Sequence, residues 1–181
     1  MFEKALQFTM LYEVGPHFKL DDETRAGLCK TAAQKKKTGY VNDPDDKGGE
    51  TKFGIAKTAN PGINIQQMSW ALTVAIYENK YWKAGQCDKM PELVAMAHFD
   101  ACVNHGVRKA NQFLQRALGV KDDGDIGPKT LAALAANPEV LSRLLDVRKT
   151  FFFDIVKNNP TQNKFINGWL ARVDSLKASL T

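Results

Sequence analysis

The 181-residue sequence contains no long apolar run, and nowhere do its apolar residues approach the roughly 18 in succession that a membrane-spanning helix requires. Glu3, Lys4 and Gln7 interrupt the first eleven residues, so the apolar core of a secretory signal peptide is not expected there. We therefore expect a protein that does not insert stably into a membrane and that accumulates in a cytoplasm.

Cysteine is also scarce in this sequence. Cys29, Cys87 and Cys102 are its only three cysteines, and no two of them form a Cys-x-x-Cys pair. An odd number without paired spacing argues against a disulfide framework and is typical of a reducing compartment.

Positive charge is in mild excess. Lys and Arg number 25 against 20 Asp and Glu, which gives a net charge of +5 and a pI near 9.1. Such an excess favours acidic partners, such as nucleic acid, an anionic membrane or the bacterial cell wall. The basic residues are not concentrated in one recognition helix, so nucleic acid is not an expected partner.

Strand signals are few and helix signals are many. The sequence predicts a mainly α fold, a helical bundle with a small irregular or β segment around residues 38–60. Glycine and proline punctuate that segment, and short strands are expected near residues 40–41 and 52–56. The predicted helices are residues 2–13, 22–37, 64–81, 91–103, 108–118, 130–136, 138–153 and 165–180.

Glu13 closes the first predicted helix on the apolar side of that helix. At 100° per residue, its direction lies about 20° from that of Phe2 and about 20° from that of Leu6. A carboxylate there is partly withdrawn from water and lies near the negative end of the helix dipole, and both effects favour its protonated form. A general acid at neutral pH needs that form. The alternative is a glutamate at a fraying helix end that turns to solvent.

A second carboxylate is available in residues 39–55, which read GYVNDPDDKGGETKFGI. Glycoside hydrolysis requires a carboxylate opposite the acid, either to stabilise positive charge or to activate water. A hydroxyl such as that of Thr51 could hold the water, and the glycines allow the backbone to approach a sugar closely. The alternative is that the three aspartates form Asx turns around Pro44.

Residues 39–55 resemble the signature of glycoside hydrolase family 108, in which Glu-Gly-Gly-Tyr is followed by Asp-x-Gly-Gly-x-Thr-x-x-Gly-Ile. Four further segments resemble the family in the same chain order: residues 75–82, 103–106, 123–131 and 159–169. The resemblance implies a lysozyme-like fold and a phage or prophage N-acetylmuramidase, which cuts between N-acetylmuramic acid and N-acetylglucosamine in peptidoglycan. It also implies an endolysin that waits in the host cytoplasm until a holin opens the membrane.

The sequence departs from the family pattern at the catalytic glutamate. Lys37 and Thr38 precede the Gly-Tyr pair, where the family has Glu-Gly. Residues 2–13 resemble the helix that normally ends in this glutamate. We therefore interpret residues 14–37 as an insertion that splits the motif after Glu13.

On this interpretation, the resemblance implies Glu13 as the acid, with Asp46 and Thr51 matching the downstream Asp and Thr of the family. Asp43 and Asp45 are rivals of Asp46, because either could occupy the same register. The residues expected to bind substrate are Tyr40, Asn42, Asn104 and His105. No cofactor and no metal are expected.

We expect residues 1–106 to form the catalytic region and residues 107–181 a helical region with a peptidoglycan-binding element, packed in the same domain of a monomer. Two alternatives stay open. One is a zinc-dependent amidase, since His98, Cys102 and His105 lie at i, i+4 and i+7 on one predicted helix, although three ligands from one helix suit tetrahedral zinc poorly. The other is a non-catalytic module that binds the cell wall.

Overall fold

Helices dominate the structure, which confirms the mainly α prediction. The computed structural model describes residues 1–43 and 49–180. In chain order, the helices and strands are α1 (Phe2–Glu13), α2 (Asp22–Arg25), α3 (Ala32–Thr38), β1 (Thr51–Lys52), β2 (Ile55–Ala56), α4 (Trp70–Tyr77), α5 (Glu92–His105), α6 (Val107–Leu118), α7 (Pro128–Ala135), α8 (Val140–Asn158) and α9 (Asn163–Ser179).

The chain divides into two units. One is Leu6–Asn79, and the other joins Met1–Ala5 to Lys80–Thr181. In Leu6–Asn79, α1 buries Leu6 and Met10 completely, as the spacing of four residues predicts. Other large buried side chains of this unit include Tyr40, Lys52, Phe53, Ile55, Ile65, Met68, Trp70 and Tyr77.

A short hairpin joins β1 to β2. The strands are antiparallel, with Thr51 opposite Ala56, and Val41 extends the ladder through a bridge to Thr51. The two turn residues, Phe53 and Gly54, have φ values of +50° and +72°. Positive φ at both positions is what a type I′ hairpin turn requires. The strand predictions around residues 40–41 and 52–56 are therefore confirmed in place.

The prediction of one helix over residues 22–37 is wrong, because two short helices, α2 and α3, occupy this stretch. Gly27 interrupts them with φ +70°, and a Cβ atom there would stand 2.2 Å from the Met68 carbonyl oxygen. Asp21 caps the N-terminus of α2. Helix α3 then begins after Thr31, which forms a reciprocal capping box with Gln34. A close approach from a distant part of the sequence thus ends the first helix.

The predicted start of a helix at Asn64 is also wrong. Asn64 accepts a hydrogen bond from the Gln67 backbone, but only a turn follows, and Ser69 caps α4 through the Leu72 backbone N–H at 3.3 Å. The helical path then widens into a π-helix over Glu78–Lys83.

The unit of Met1–Ala5 and Lys80–Thr181 is helical, and its helices confirm the five predicted from residue 91 onward, with ends shifted by a few residues. Helix α6 packs on α5 and α8, and α8 also packs on α9. Gly106 separates α5 from α6, and Gly119 ends α6 in a left-handed conformation, as predicted.

A buried ionic triad joins three of these helices. Asp100 of α5 accepts hydrogen bonds from Arg148 of α8 at 2.8 Å and from Arg172 of α9 at 2.8 Å. Burial alone would raise the pKa of Asp100, but the two guanidinium groups overcome this and lower the pKa below its ordinary value.

Within the described residues, no helix is both long and apolar enough to cross a bilayer.

Candidate active site

Glu13 lies beside the hairpin turn in the unit Leu6–Asn79. Its side chain is half-buried. A Cβ atom on Gly54 would stand 3.0 Å from Glu13 Cβ and 3.4 Å from Glu13 Oε2, so the absence of a side chain at Gly54 makes room for the carboxylate. The structure therefore brings the predicted acid against the glycine-rich segment.

The two halves of the split motif also meet at Val14 and Gly39. A Cβ atom on Gly39 would stand 3.3 Å from Val14 Cγ1. Residues 15–38 therefore leave and return at one point of the fold. An insertion after Glu13 requires such a return of the chain, and the insertion of residues 14–37 stays a prediction.

Tyr77 completes the surroundings of the turn. Its hydroxyl donates a 2.9 Å hydrogen bond to the Phe53 carbonyl, and the same hydroxyl would lie 2.7 Å from a Cβ atom on Gly54. Phe53 also donates its N–H to the Thr38 carbonyl at 2.8 Å. These hydrogen bonds hold a non-glycine residue at positive φ, a conformation that costs about 1–3 kcal/mol. The sequence places Tyr77 in the family-like segment 75–82, but it does not predict the contact with the turn, because Phe53 and Gly54 are distant in the sequence.

Tyr40 holds a carboxylate that the sequence analysis did not single out. The buried Tyr40 hydroxyl donates to Glu50 Oε1 at 2.6 Å. The hydrogen bond to Glu50, together with burial, raises the pKa of Tyr40 to about 12. Tyr40 therefore holds Glu50, while Asn42 is exposed. The sequence signal for Glu50 was its position directly before Thr51.

Thr51 lies in β1 with its side chain half-exposed. Its backbone exchanges two 2.9 Å hydrogen bonds with Val41. Among the described residues, its hydroxyl contacts the Gly49 carbonyl at a long 3.5 Å. A hydroxyl held this weakly can turn toward a water molecule. Asp46 and its rival Asp45 lie outside the described residues, and the other rival, Asp43, is exposed.

Lys52 is the buried neighbour of Thr51 on β1. Its ammonium group donates to the carbonyls of Gly27 at 2.5 Å and Gln66 at 2.7 Å. Burial lowers the pKa of Lys52 against the opposing influence of Cys29. These two hydrogen bonds connect the hairpin to the loops that contain Gly27 and Gln66.

Asn104 and His105 lie in the other unit, at the end of α5. Asn104 is exposed. The His105 ring packs against Phe113, Phe151 and Phe152, with centroid distances of 5.2, 5.5 and 5.3 Å. Burial, with a smaller contribution from Arg148, lowers the pKa of His105 to about 3.

The histidine and cysteine face considered for zinc is part of a packed helix. His98 is fully buried, and its Nε2 atom lies 3.0 Å from the Asn111 side-chain oxygen. Cys102 is also fully buried, and burial raises the pKa of its thiol well above the ordinary value. Among residues 1–43 and 49–180, no three His, Cys, Asp or Glu residues are grouped so that they could hold a metal ion.

Comparison with family models gives two matches along the chain. Residues 31–106 match the family Glycosyl hydrolase 108, and residues 109–174 match the Predicted Peptidoglycan domain. The first match begins inside the proposed insertion, so Glu13 precedes the matched segment.

A solved structure described as that of Brucella abortus SagA is similar to this chain. The two are 28% identical with a TM-score of 0.65, and the similarity covers 78% of this chain and 84% of the other. Comparison with curated proteins gives no match.

Proposed function

Because the chain belongs to glycosyl hydrolase family 108 and is a glycoside hydrolase that acts on peptidoglycan, we propose that it cleaves the bond between N-acetylmuramic acid and N-acetylglucosamine, with Glu13 as the general acid. The observation that carries this proposal is the position of the Glu13 carboxylate over the Phe53–Gly54 turn. A half-buried carboxyl beside an open glycine backbone can reach the oxygen of a bound sugar linkage.

In the proposed mechanism, protonated Glu13 donates its proton to the glycosidic oxygen as the bond to the sugar breaks. The positive charge that develops on the sugar ring needs a carboxylate or an activated water on the other side. We assign this role to Asp46, with Thr51 orienting the water. Tyr77 and Gly54 act through the turn, because they fix its path and leave space for Glu13.

Glu50 competes with Asp46 for the second role. It directly precedes Thr51 and is held by Tyr40. We favour Asp46, because a carboxylate that accepts a short hydrogen bond from a buried phenol already serves a structural partner. The separation of the two catalytic carboxyl groups also sets the stereochemistry: about 5 Å supports retention, and about 6.5–9.5 Å supports inversion.

The test is the substitution Glu13→Gln, assayed on purified peptidoglycan for new reducing ends. The amide keeps the shape of the side chain but cannot donate the acidic proton, so we expect the release of reducing ends to fall by at least about 100-fold. Glu3→Gln is the matched control, because Glu3 is an exposed acid in the first turn of the same helix. A folded Glu13→Gln enzyme with normal turnover would falsify the assignment, and release of free amines instead would indicate the amidase alternative.

We further propose that the protein is a monomeric phage or prophage endolysin for host lysis, and that residues 107–181 bind the wall that residues 1–106 cut. The family membership and the predicted peptidoglycan domain support this assignment. A holin would then provide passage through the host membrane. Expression in bacteria with and without a holin tests this role: we expect lysis only when both are present.

A further inference from the structure

The loop before α7 is built around one buried amide. Gln115 is 1% exposed, and its Nε2 atom donates to Asp123 Oδ1 at 2.8 Å and to the Asp125 carbonyl at 3.0 Å. Its Oε1 atom accepts the Gly124 N–H at 2.8 Å. Thr130 is also buried and lies 3.4 Å from the same amide nitrogen. Because one buried side chain hydrogen-bonds three consecutive residues of the loop, this part of the loop has a fixed shape.

This loop forms one wall of a cavity of about 600 Å³, a volume typical of small-ligand sites. Gln115 and Thr130 lie at its buried side. Its remaining lining residues are Val120, Lys121, Asp123, Asp125, Gly127, Pro128 and Lys129. None of these lining residues is aromatic, whereas stacked aromatic rings are a common platform for sugars. The cavity is therefore better suited to a peptide than to a glycan.

Both signs of charge lie at this cavity, and their existing partners differ. Asp123 is already engaged by Gln115, by the Asp125 backbone N–H at 3.1 Å and by Lys121 at 3.6 Å. Asp125 and Lys129 are exposed at its edge, where each can meet a ligand. Helix α7 begins at Pro128, which has no N–H, and it has no side-chain cap, so the backbone N–H groups of Lys129 and Thr130 add to the positive side.

We infer that this cavity binds the stem peptide of peptidoglycan through the end of a diaminopimelate-type residue, with its ammonium group at Asp125 and its carboxylate at Lys129 and the start of α7. The inference rests on the proposed function, because it takes peptidoglycan as the substrate. It deepens that function by assigning recognition to the peptide rather than the sugar. A lysine-type stem lacks the side-chain carboxylate and satisfies only the Asp125 side.

The test is titration of the full-length protein with a synthetic stem tetrapeptide that contains meso-diaminopimelate, followed by amide NMR shifts and calorimetry. We expect shifts concentrated at Gln115 and at residues 123–130. Asp125→Asn and Lys129→Gln should each weaken binding by about 10-fold, because each removes one charge-assisted contact. The lysine-type tetrapeptide should bind the unmodified protein about 10-fold more weakly than the diaminopimelate peptide.

Asp154→Asn is the matched control, since Asp154 is an exposed aspartate on α8 that does not line the cavity. Its affinity should equal that of the unmodified protein. Peptide binding that is absent at millimolar concentration, or that is equal in all four proteins, overturns the inference, as do shifts confined to other residues.

This experiment is independent of catalysis, because the soluble peptide contains no glycosidic bond. If the peptide binds as expected while peptide-free glycan chains yield no reducing ends, the proposed function fails and the binding site stands. If glycan chains are cut while the peptide does not bind, the proposed function stands and the peptide-binding inference fails.

Discussion

Glu13 and Gly54 are 41 positions apart in the sequence, yet a Cβ atom on Gly54 would stand only 3.0 Å from Glu13 Cβ. A glycine is needed here for two separate reasons. Its φ of +72° disfavours any side chain, and the space that a side chain would fill belongs to Glu13 and to the Tyr77 hydroxyl. The position of the proposed acid therefore depends on the lack of a side chain at Gly54.

Gly54→Ala should greatly reduce catalytic activity while lowering the free energy of unfolding only modestly. The new methyl group would have to displace the Tyr77 hydroxyl, 2.7 Å away, and the Glu13 side chain. We expect at least about a 10-fold loss in the release of reducing ends, since a shift of about 1 Å at a catalytic group can cost about 100-fold. The positive φ adds about 1–2 kcal/mol of destabilisation. Gly62→Ala is the control, because nothing lies within 4 Å of its Cβ position. Equal activity of the two variants would contradict the proposed location of the site.

The assignment of the second carboxylate can be tested by comparing Asp46→Asn with Glu50→Gln. If Asp46 assists catalysis, its amide should reduce the release of reducing ends by about 100-fold. Glu50→Gln should keep activity within about 10-fold, because the amide oxygen can still accept the hydrogen bond from Tyr40. Urea unfolding of each variant separates loss of activity from loss of fold. The opposite order of activities would transfer the catalytic role to Glu50.

The first helix and the hairpin could be predicted from the sequence, because their signals are local. The apolar spacing of α1 and the stop at Gly15-Pro16 lie within a few residues of each other, and so do the glycines of the hairpin segment. The break between α2 and α3 could not be predicted in the same way. It depends on Gly27 meeting Met68, and such contacts between distant residues override local helix preference.

The candidate site likewise contains residues with a local sequence signal and residues whose roles depend on distant contacts. Glu13 could be proposed as the acid from its helical direction and from the family-like helix that it ends, and this role stays a prediction. Tyr77 and Glu50 could not be assigned roles, because each acts through a hydrogen bond to a residue that spacing does not indicate: Phe53 for Tyr77 and Tyr40 for Glu50.

Asp100→Asn should strongly destabilise the helical unit Lys80–Thr181. Both carboxylate oxygens of Asp100 accept from arginines, and Arg148 is completely buried. Removing the negative charge leaves two buried guanidinium groups without their counter-ion, which costs about 3–5 kcal/mol. Urea unfolding followed by circular dichroism measures this cost. Asp154→Asn, at an exposed position on α8, should change the free energy of unfolding by less than about 0.5 kcal/mol.

His98 should make the protein less stable in mild acid. Burial lowers the pKa of His98 to about 4, so the folded state resists the proton that the unfolded chain accepts near pH 6.5. The stabilising contribution of neutral His98 is therefore fully present above pH 6.5. The free energy of unfolding then falls as the pH drops toward about 4, by an amount on the order of 1–3 kcal/mol.

The measurement is the free energy of unfolding at pH 7 and at pH 4.5 for His98→Gln and for His17→Gln. His17 is exposed, so its variant should follow the unmodified protein. His98→Gln should lose less stability between the two pH values, whatever its stability at pH 7. Parallel losses in both variants would assign the acid sensitivity to other groups.

Lys52 of the hairpin depends on a hydrogen bond to a residue of the proposed insertion. Its ammonium group needs the Gly27 carbonyl, and Gly27 lies within residues 14–37. Deleting those residues would restore an uninterrupted motif, but it would also leave a buried cation with one acceptor fewer, at a cost of about 1–3 kcal/mol or more. A relative without the insertion is therefore expected to carry a different residue at the position of Lys52. We therefore expect residues 14–37 and a lysine at position 52 to be gained or lost together among relatives.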